Sequence, residues 1–279
     1  MPIHDLSYRH WSGEWTSHPY RWWVITRQGI RLLAAKKWFL GLMILSALPF
    51  VVRSVILYLV TVVGNLPMVR VNAKFFLDFL NQQTSFVLPI AVFAGSGLIA
   101  SDLKANALQI YLSKPITRRD YLLGKLFVLV ICLGLPTLVP ALLLFLLAVL
   151  FRSDLEFLRL NYWVAGSIVA YALLIVLTYS LLMLALSSLT RSARFAAMNF
   201  IGLLLFSNIL AGILGVMLRT RQLAWVSIGN NLTAVGDMLF SVDLRHGSPL
   251  WISWGILGAL IAGGAWLTHR RVQAFEVVR

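Results

Sequence analysis

The polar residues that could carry a task in this 279-residue chain gather between Ser101 and Lys125. Asp102, Asn106, Gln109 and Ser113 recur at i, i+4, i+7 and i+11, so a helix here would line them up in one narrow stripe. Leu103, Ala107, Leu108, Tyr111 and Leu112 fall on its other side. Ser101 can cap the start, and Asp102 in the first turn faces the positive end of the helix dipole. Pro115 disfavours helix at Lys114 and ends the element. Thr117-Arg118-Arg119-Asp120 then reads as a capping box, with Asp in place of the usual Glu, opening the next helix. The pattern is a short amphipathic rod followed by a basic elbow of Lys114, Pro115, Arg118 and Arg119. Its chemistry is docking, either on lipid headgroups or on a partner.

Groups able to make or break bonds are missing from the pattern. There is no HExxH, and Gly95-Ser96-Gly97 lacks the outer glycine spacing of a nucleophile elbow. Gly124-Lys125 is followed by Leu126 and preceded by no glycine at Walker spacing, so the chain has no P-loop of its own. The five histidines are scattered, and no metal site is expected. Asn231-Leu232-Thr233 matches a glycosylation acceptor, a motif short enough to arise by chance. The single cysteine, Cys132, sits in an apolar run and can form neither an intrachain disulfide nor a Cys-based metal site.

What must position the polar stretch is membrane-spanning helix. The chain is 59% hydrophobic and only 12% charged, with a mean hydropathy of +0.83; an average soluble domain is about 25% charged. Six segments approach or reach the roughly 20 apolar residues that cross a bilayer: about 38–62, 84–100, 121–151, 162–189, 195–218 and 250–268. The expected fold is all-α and polytopic, one domain over 1–279. Residues 1–37 form an arm, 38–268 a six-span bundle and 269–279 a tail. The second span is short, and Pro136 and Pro140 should kink or tilt the third. Residues 1–20 hold no cleavable signal. Residues 20–37 mix Trp23, Ile30 and Leu33 with Arg27 and Arg31, which suits either a helix lying in the membrane interface or a plain basic flank.

The net charge of +14 does not imply nucleic acid in such a chain, because basic residues collect in cytoplasmic loops beside anionic lipid. With the N-terminus inside, sixteen of the 24 Lys and Arg lie on the inner side. Both termini and the 101–125 stretch are then cytoplasmic, and the 219–249 connection is outside. All ten acidic residues fall outside the six segments, which weakens a reading as an ion-driven carrier. Arg53 is the charge well inside an apolar run; it either snorkels to the outer headgroups or attracts an anionic substrate. Asn199 and Asn208 either bond between helices or face a pathway or a second subunit. Gly255 with Ala259, and Gly258 with Ala262, are small-xxx-small pairs suited to close helix packing.

The run Asp102…Ala107-Leu108-Gln109…Leu112-Ser113-Lys114-Pro115-Ile116-Thr117-Arg118…Tyr121-Leu122-Leu123-Gly124-Lys125 resembles the signature of type-2 (ABC-2) ABC transporter permeases. Thr117 stands where Ser is common, and Asn106 where Gly is common. The resemblance implies a transport subunit, not an enzyme. Its path would be formed as a homo- or heterodimer of permeases in a bacterial cytoplasmic membrane, among membrane lipids. Two separate ATPase subunits would hold ATP and Mg, and this chain would need no cofactor. Asp102, Lys104, Asn106, Gln109 and Ser113 would form the coupling helix that docks on the ATPase, with Lys114, Pro115, Arg118 and Arg119 as its elbow. Arg53, Asn199 and Asn208 are the candidate pathway residues. Two other classes stay open: a secondary transporter or channel without an ATPase, and a membrane scaffold that recruits a soluble partner.

Overall fold

A computed structural model of the chain describes residues 20–63, 71–107, 116–152, 155–219, 222–245 and 249–272. Every regular element among them is helical. Six stretches are long and apolar enough to cross a membrane: Lys37–Val62, Ala73–Lys104, Arg118–Phe151, Leu158–Leu189, Ala193–Met217 and Leu250–Arg271. They agree with the six expected spans except at the second, which begins eleven residues earlier than its apolar run suggests.

That early start has a cap and a set of polar partners. Asn72 accepts a hydrogen bond from the Phe75 N–H (3.3 Å) and opens α4, Ala73–Gly95. Phe75, Phe76, Leu77, Phe79 and Leu80 are buried in its first two turns. Asp78, Asn81, Gln83 and Thr84 dilute the hydropathy, yet each finds a partner: Arg245, the Tyr171 hydroxyl, two main-chain carbonyls and the Leu80 carbonyl, respectively. A span can carry polar groups when protein satisfies them. The inference that every acidic residue lies outside the spans is therefore corrected: Asp78 sits well inside span two, Asp102 near its end and Asp120 in the first turn of span three.

Side chains supply hydrogen-bond partners where a helix breaks or a proline withdraws a backbone donor. Span one is α2 (Lys37–Leu45), α3 (Leu48–Tyr58) and a π turn over Leu59–Val63. Pro49, in the first turn of α3, has no N–H to offer. Span three is a single long helix, α6, Arg118–Arg152, through both prolines; α5 is the short helix Ala100–Lys104 before it. Pro140 cannot donate to the Pro136 carbonyl. The fully buried Gln83 amide donates to that carbonyl and to the Ser46 carbonyl at the span-one break, both at 2.8 Å. One side chain thus joins spans one, two and three where the bilayer offers no water. A second repair uses Ser187, which accepts from the Ile99 and Ala100 N–H groups (3.2 and 3.0 Å) and donates to the Ser96 carbonyl (2.9 Å). It bridges the turn between α4 and α5.

The Ser187 helix, α7 (Leu155–Leu189, with non-helical backbone at Asn161), is the central post of the bundle. Tyr171, Ile175, Val176, Tyr179 and Met183 are buried along it. Helix α8 (Ala193–Met217) and helix α10 (Leu250–Arg271) lean on it and leave most of their apolar surface open. The short α9 (Ile228–Leu239) follows a 3-10 turn, Gln222–Val226. In α10 the close contact is made by Gly264, where an added Cβ would lie 3.1 Å from the Leu181 carbonyl oxygen. Gly255 and Gly258, expected to set packing with Ala259 and Ala262, are exposed, with nothing within 4 Å of an added Cβ. The expectation therefore fails for these pairs within one chain; the packing glycine is the one facing α7.

Candidate functional site

At the end of the bundle where α5 and α6 meet, three residues of the 101–125 stretch close on each other. Asp102 is in α5; Tyr121 and Lys125 lie one turn apart on α6. The Tyr121 hydroxyl donates to Asp102 Oδ2 at 2.7 Å, and Lys125 Nζ reaches the same oxygen at 2.8 Å. The side chains of Lys125 and Asp102 are only 11% and 17% exposed. The lysine ammonium also lies 5.5 Å from the Tyr121 ring centroid. This clamp ties together the two ends of the linker that runs between spans two and three.

The start of α6 is fixed by the capping box read from the sequence. The Thr117 N–H and hydroxyl donate to Asp120 Oδ2 (3.1 and 2.7 Å), and the Asp120 N–H donates back to Thr117 Oγ1 at 3.2 Å. Asp is one methylene shorter than Glu and still completes the box. Helix α1, Arg21–Ala34, crosses α6 just beyond. Thr26 Oγ1 donates to the Gly124 carbonyl at 3.0 Å, and Trp22 stacks on Phe127 with centroids 4.5 Å apart. A Cβ on Gly124 would come within 2.7 Å of Ile25 Cβ and 2.9 Å of the Trp22 carbonyl; one on Gly29 would meet Val128 at 2.6 Å. These glycines let two backbones cross at close range. The face of α1 that packs is Ile25, Thr26 and Leu33. Of the apolar residues noted in this stretch, Leu33 is buried and Trp23 is exposed, because docking on α6 selects the Ile25 side.

The linker departs from one uninterrupted rod. Helix α5 stops at Lys104, and Asn106 takes φ 50°. That left-handed position just past a helix end suits Gly best and Asn next. Backbone geometry rather than a polar stripe thus accounts for Asn at this position. Asp102 points into the clamp, while Lys104 and Asn106 are exposed. Gln109, Ser113, Lys114 and Pro115 lie outside the described residues. Arg118 and Arg119 are exposed beside the capping box.

A second polar assembly holds the opposite end of the bundle. Arg245 Nη2 reaches Asp78 Oδ1 at 2.6 Å, and its Nε reaches Asp237 Oδ1 at 3.2 Å. The Arg245 N–H also donates to Asp237 Oδ2 at 3.1 Å. Asp237 is fully buried on α9, so a charge with little water around it is matched by a guanidinium and an amide. The Ser167 hydroxyl donates to the Leu239 carbonyl at 2.6 Å, and Gly236 lets the Tyr171 ring approach α9. The 222–245 segment is therefore latched to spans two and four. Among the sequence-derived pathway residues, Arg53 is near this latch: its Nη1 donates to the Phe75 carbonyl at 3.2 Å, with the guanidinium 4.9 Å from the Phe75 ring centroid. Asn208 accepts a hydrogen bond from Ser227, fastening α8 to the start of α9. Asn199 lies on the exposed side of α8. The structure does not bring these three together. Asn231 is fully buried, donating to the Trp225 and Ser227 carbonyls, so it cannot accept a glycan in the fold.

Tyr121, Lys125, Arg245, Asp237 and Gln83 were not singled out as site residues from the sequence. For Tyr121 and Lys125 a signal existed: both lie in the quoted run, four residues apart, behind an acidic residue in an otherwise apolar setting.

The profile of a family described as ABC-2 family transporter protein matches residues 23–246, from helix α1 to just past Arg245. The chain belongs to the ABC-2 transporter family. Among curated proteins no match is found. As an ABC-2 permease it is a multi-pass membrane subunit of an ABC transporter and not itself an ATPase. Its family works in general with ABC ATPases and as dimers. Among the described residues no group of three or more His, Cys, Asp or Glu could hold a metal ion.

Proposed function

We propose that this ABC-2 permease is the membrane subunit of an ATP-driven exporter in a bacterial cytoplasmic membrane. Two permease copies, or two related chains, form the path, and two separate ATPase subunits holding ATP and Mg sit beneath. The elbow end of the bundle, with α1, Asp102 and Thr117, faces the cytoplasm, as the distribution of Lys and Arg favours. Both termini are on that side, and the Arg245 latch is outside.

The observation that carries this reading is the Asp102–Tyr121–Lys125 clamp. A linker loose at its base would absorb a partner's movement. Here both ends of the linker are pinned to each other, so a push on the 104–118 segment moves spans two and three as a pair. The exposed Lys104, Arg118 and Arg119 and the segment containing Gln109 and Ser113 supply the docking surface. ATP-driven closure of the ATPases then rocks the two permeases between inward- and outward-facing states. At the other end the Arg245 latch would hold the outer segment as the closing element of the path. Asn199, Gly202, Phe206, Ile209 and Ile213 form an exposed stripe at spacings of three and four along α8. That periodicity suits a helix seam with the second permease.

The test is co-purification with the ATPase subunit encoded alongside. Lys104→Glu with Arg119→Glu reverses two exposed docking charges without touching the clamp. ATPase association and ATP-dependent transport should both fall at least about tenfold, the loss expected where charge repulsion replaces attraction. Wild-type transport without any ATPase subunit would favour the secondary-transporter class instead.

A further inference from the structure

A groove of about 620 Å3 opens at the elbow end between α5 and the turn that joins α7 to α8. Its lining includes Ser101, Lys104, Arg191, Ser192 and Arg194, with no acidic residue among the described residues. Three cations therefore face one space, and none of them has an ion-pair partner among the described residues. The carboxylate of α5, Asp102, is turned away into the Tyr121–Lys125 clamp. Ser192 precedes α8 without making a side-chain cap, which adds uncapped helix N–H groups at the same corner. On α8, Phe195 and Met198 continue from this corner as exposed apolar side chains, 62% and 65% accessible.

We propose that this groove binds the phosphate of an anionic phospholipid, with the acyl chains running along Phe195 and Met198. Basic pockets between spans on the cytoplasmic side suit such headgroups. The apolar continuation favours a lipid over a soluble phosphate, which would need only the cations. A phosphate held there joins Lys104, at the root of the linker, to Arg191 and Arg194 at the base of span five. Bound lipid would thus brace the junction through which the linker moves the bundle. The proposal rests on the cytoplasmic placement of this end, but its test reads lipid binding and not transport.

The assay is native mass spectrometry of the full chain, purified in detergent and titrated with phosphatidylglycerol or phosphatidylcholine. Wild type should retain phosphatidylglycerol over phosphatidylcholine by about fivefold or more, the preference that roughly one cation near an anionic headgroup provides. Lys104→Gln/Arg191→Gln/Arg194→Gln should bring the ratio near one. Arg270→Gln/Arg271→Gln, removing two cations at the end of α10, should leave it unchanged. Glycerol 1-phosphate at the same concentration should not displace the lipid. If the triple variant aggregates, Arg191→Gln alone should lower the ratio at least about twofold. Equal retention of the two lipids by wild type would overturn the proposal, as would equal losses in both charge variants. Displacement by glycerol 1-phosphate would make this a soluble-anion site. A triple variant that keeps the lipid preference but loses the ATPase subunit would assign the cations to an acidic protein surface. Either result refutes lipid binding.

Discussion

Replacing Lys125 by Met should uncouple the linker from span three and destabilise the permease by about 3 kcal/mol, a loss that neutralising Asp102 should largely restore. The ammonium and carboxylate are 2.8 Å apart and 11% and 17% exposed. At that distance and an effective dielectric near 20, their gross attraction is about 6 kcal/mol. Desolvation of two mostly buried ions cancels much of it, so the intact pair adds little net stability. Removing one partner is another matter, because the carboxylate stays behind with only the Tyr121 hydroxyl 2.7 Å away. Stranding a buried charge costs about 3–5 kcal/mol, and the partial exposure here places the cost at the lower end. In Lys125→Met/Asp102→Asn the carboxylate is gone and an amide oxygen still accepts from Tyr121. The double variant should therefore recover about 2 kcal/mol, a coupling well above the ~0.5 kcal/mol scatter of independent sites. Equilibrium unfolding in lipid bicelles measures the four members of the cycle, and the ratio of ATP hydrolysed to substrate moved reports coupling in the assembled transporter. Additive single losses would refute the clamp as an energetic unit. A single variant with normal coupling would refute its role in transmission.

Other outcomes follow from particular contacts. Arg245→Ala should cost about 3 kcal/mol by leaving the fully buried Asp237 without its guanidinium, and hydrogen exchange should show the 228–245 segment opening faster; unchanged exchange would argue against the latch. Gly124→Leu should detach α1, because even a Cβ would lie 2.7 Å from Ile25, and protease cleavage within 21–34 should accelerate. Asn106→Gly should be neutral or slightly stabilising, whereas Asn106→Val should cost about 1–2 kcal/mol at φ 50°, both read by thermal unfolding. Gln83→Leu removes the donor to the Ser46 and Pro136 carbonyls and should destabilise by about 2 kcal/mol, with hydrogen exchange rising at the span-one break and near Pro140.

Much of the architecture could be read directly from apolar runs, because a bilayer demands helices of fixed length and the chain supplies six. Span two shows where that reading fails. Its first third carries Asp78, Asn81, Gln83 and Thr84, and hydropathy cannot know that Arg245, Tyr171 and two carbonyls wait for them. The capping box at Thr117 and Asp120 was legible because it is local, three residues apart in sequence and closed by its own backbone. The Asp102 clamp spans 19 and 23 positions, and helical spacing within one element could place Asp102 only on a stripe. Asn106 illustrates the same limit: its residue type fitted a polar face and a left-handed turn equally, and only the backbone decides between them. The latch joins residues 78, 237 and 245 across the whole bundle, so no local pattern announces it.

The account rests on the linker between spans two and three being the cytoplasmic contact for an ATPase. Lys104→Cys in a Cys132→Ser background gives a single exposed thiol at the root of that linker; the native cysteine is 3% exposed within α6. In oriented membranes a membrane-impermeant maleimide should label this thiol from the cytoplasmic side alone, and the bound ATPase subunit should slow labelling at least about tenfold. Labelling from the exterior, or labelling at the same rate with and without the ATPase, would contradict the account.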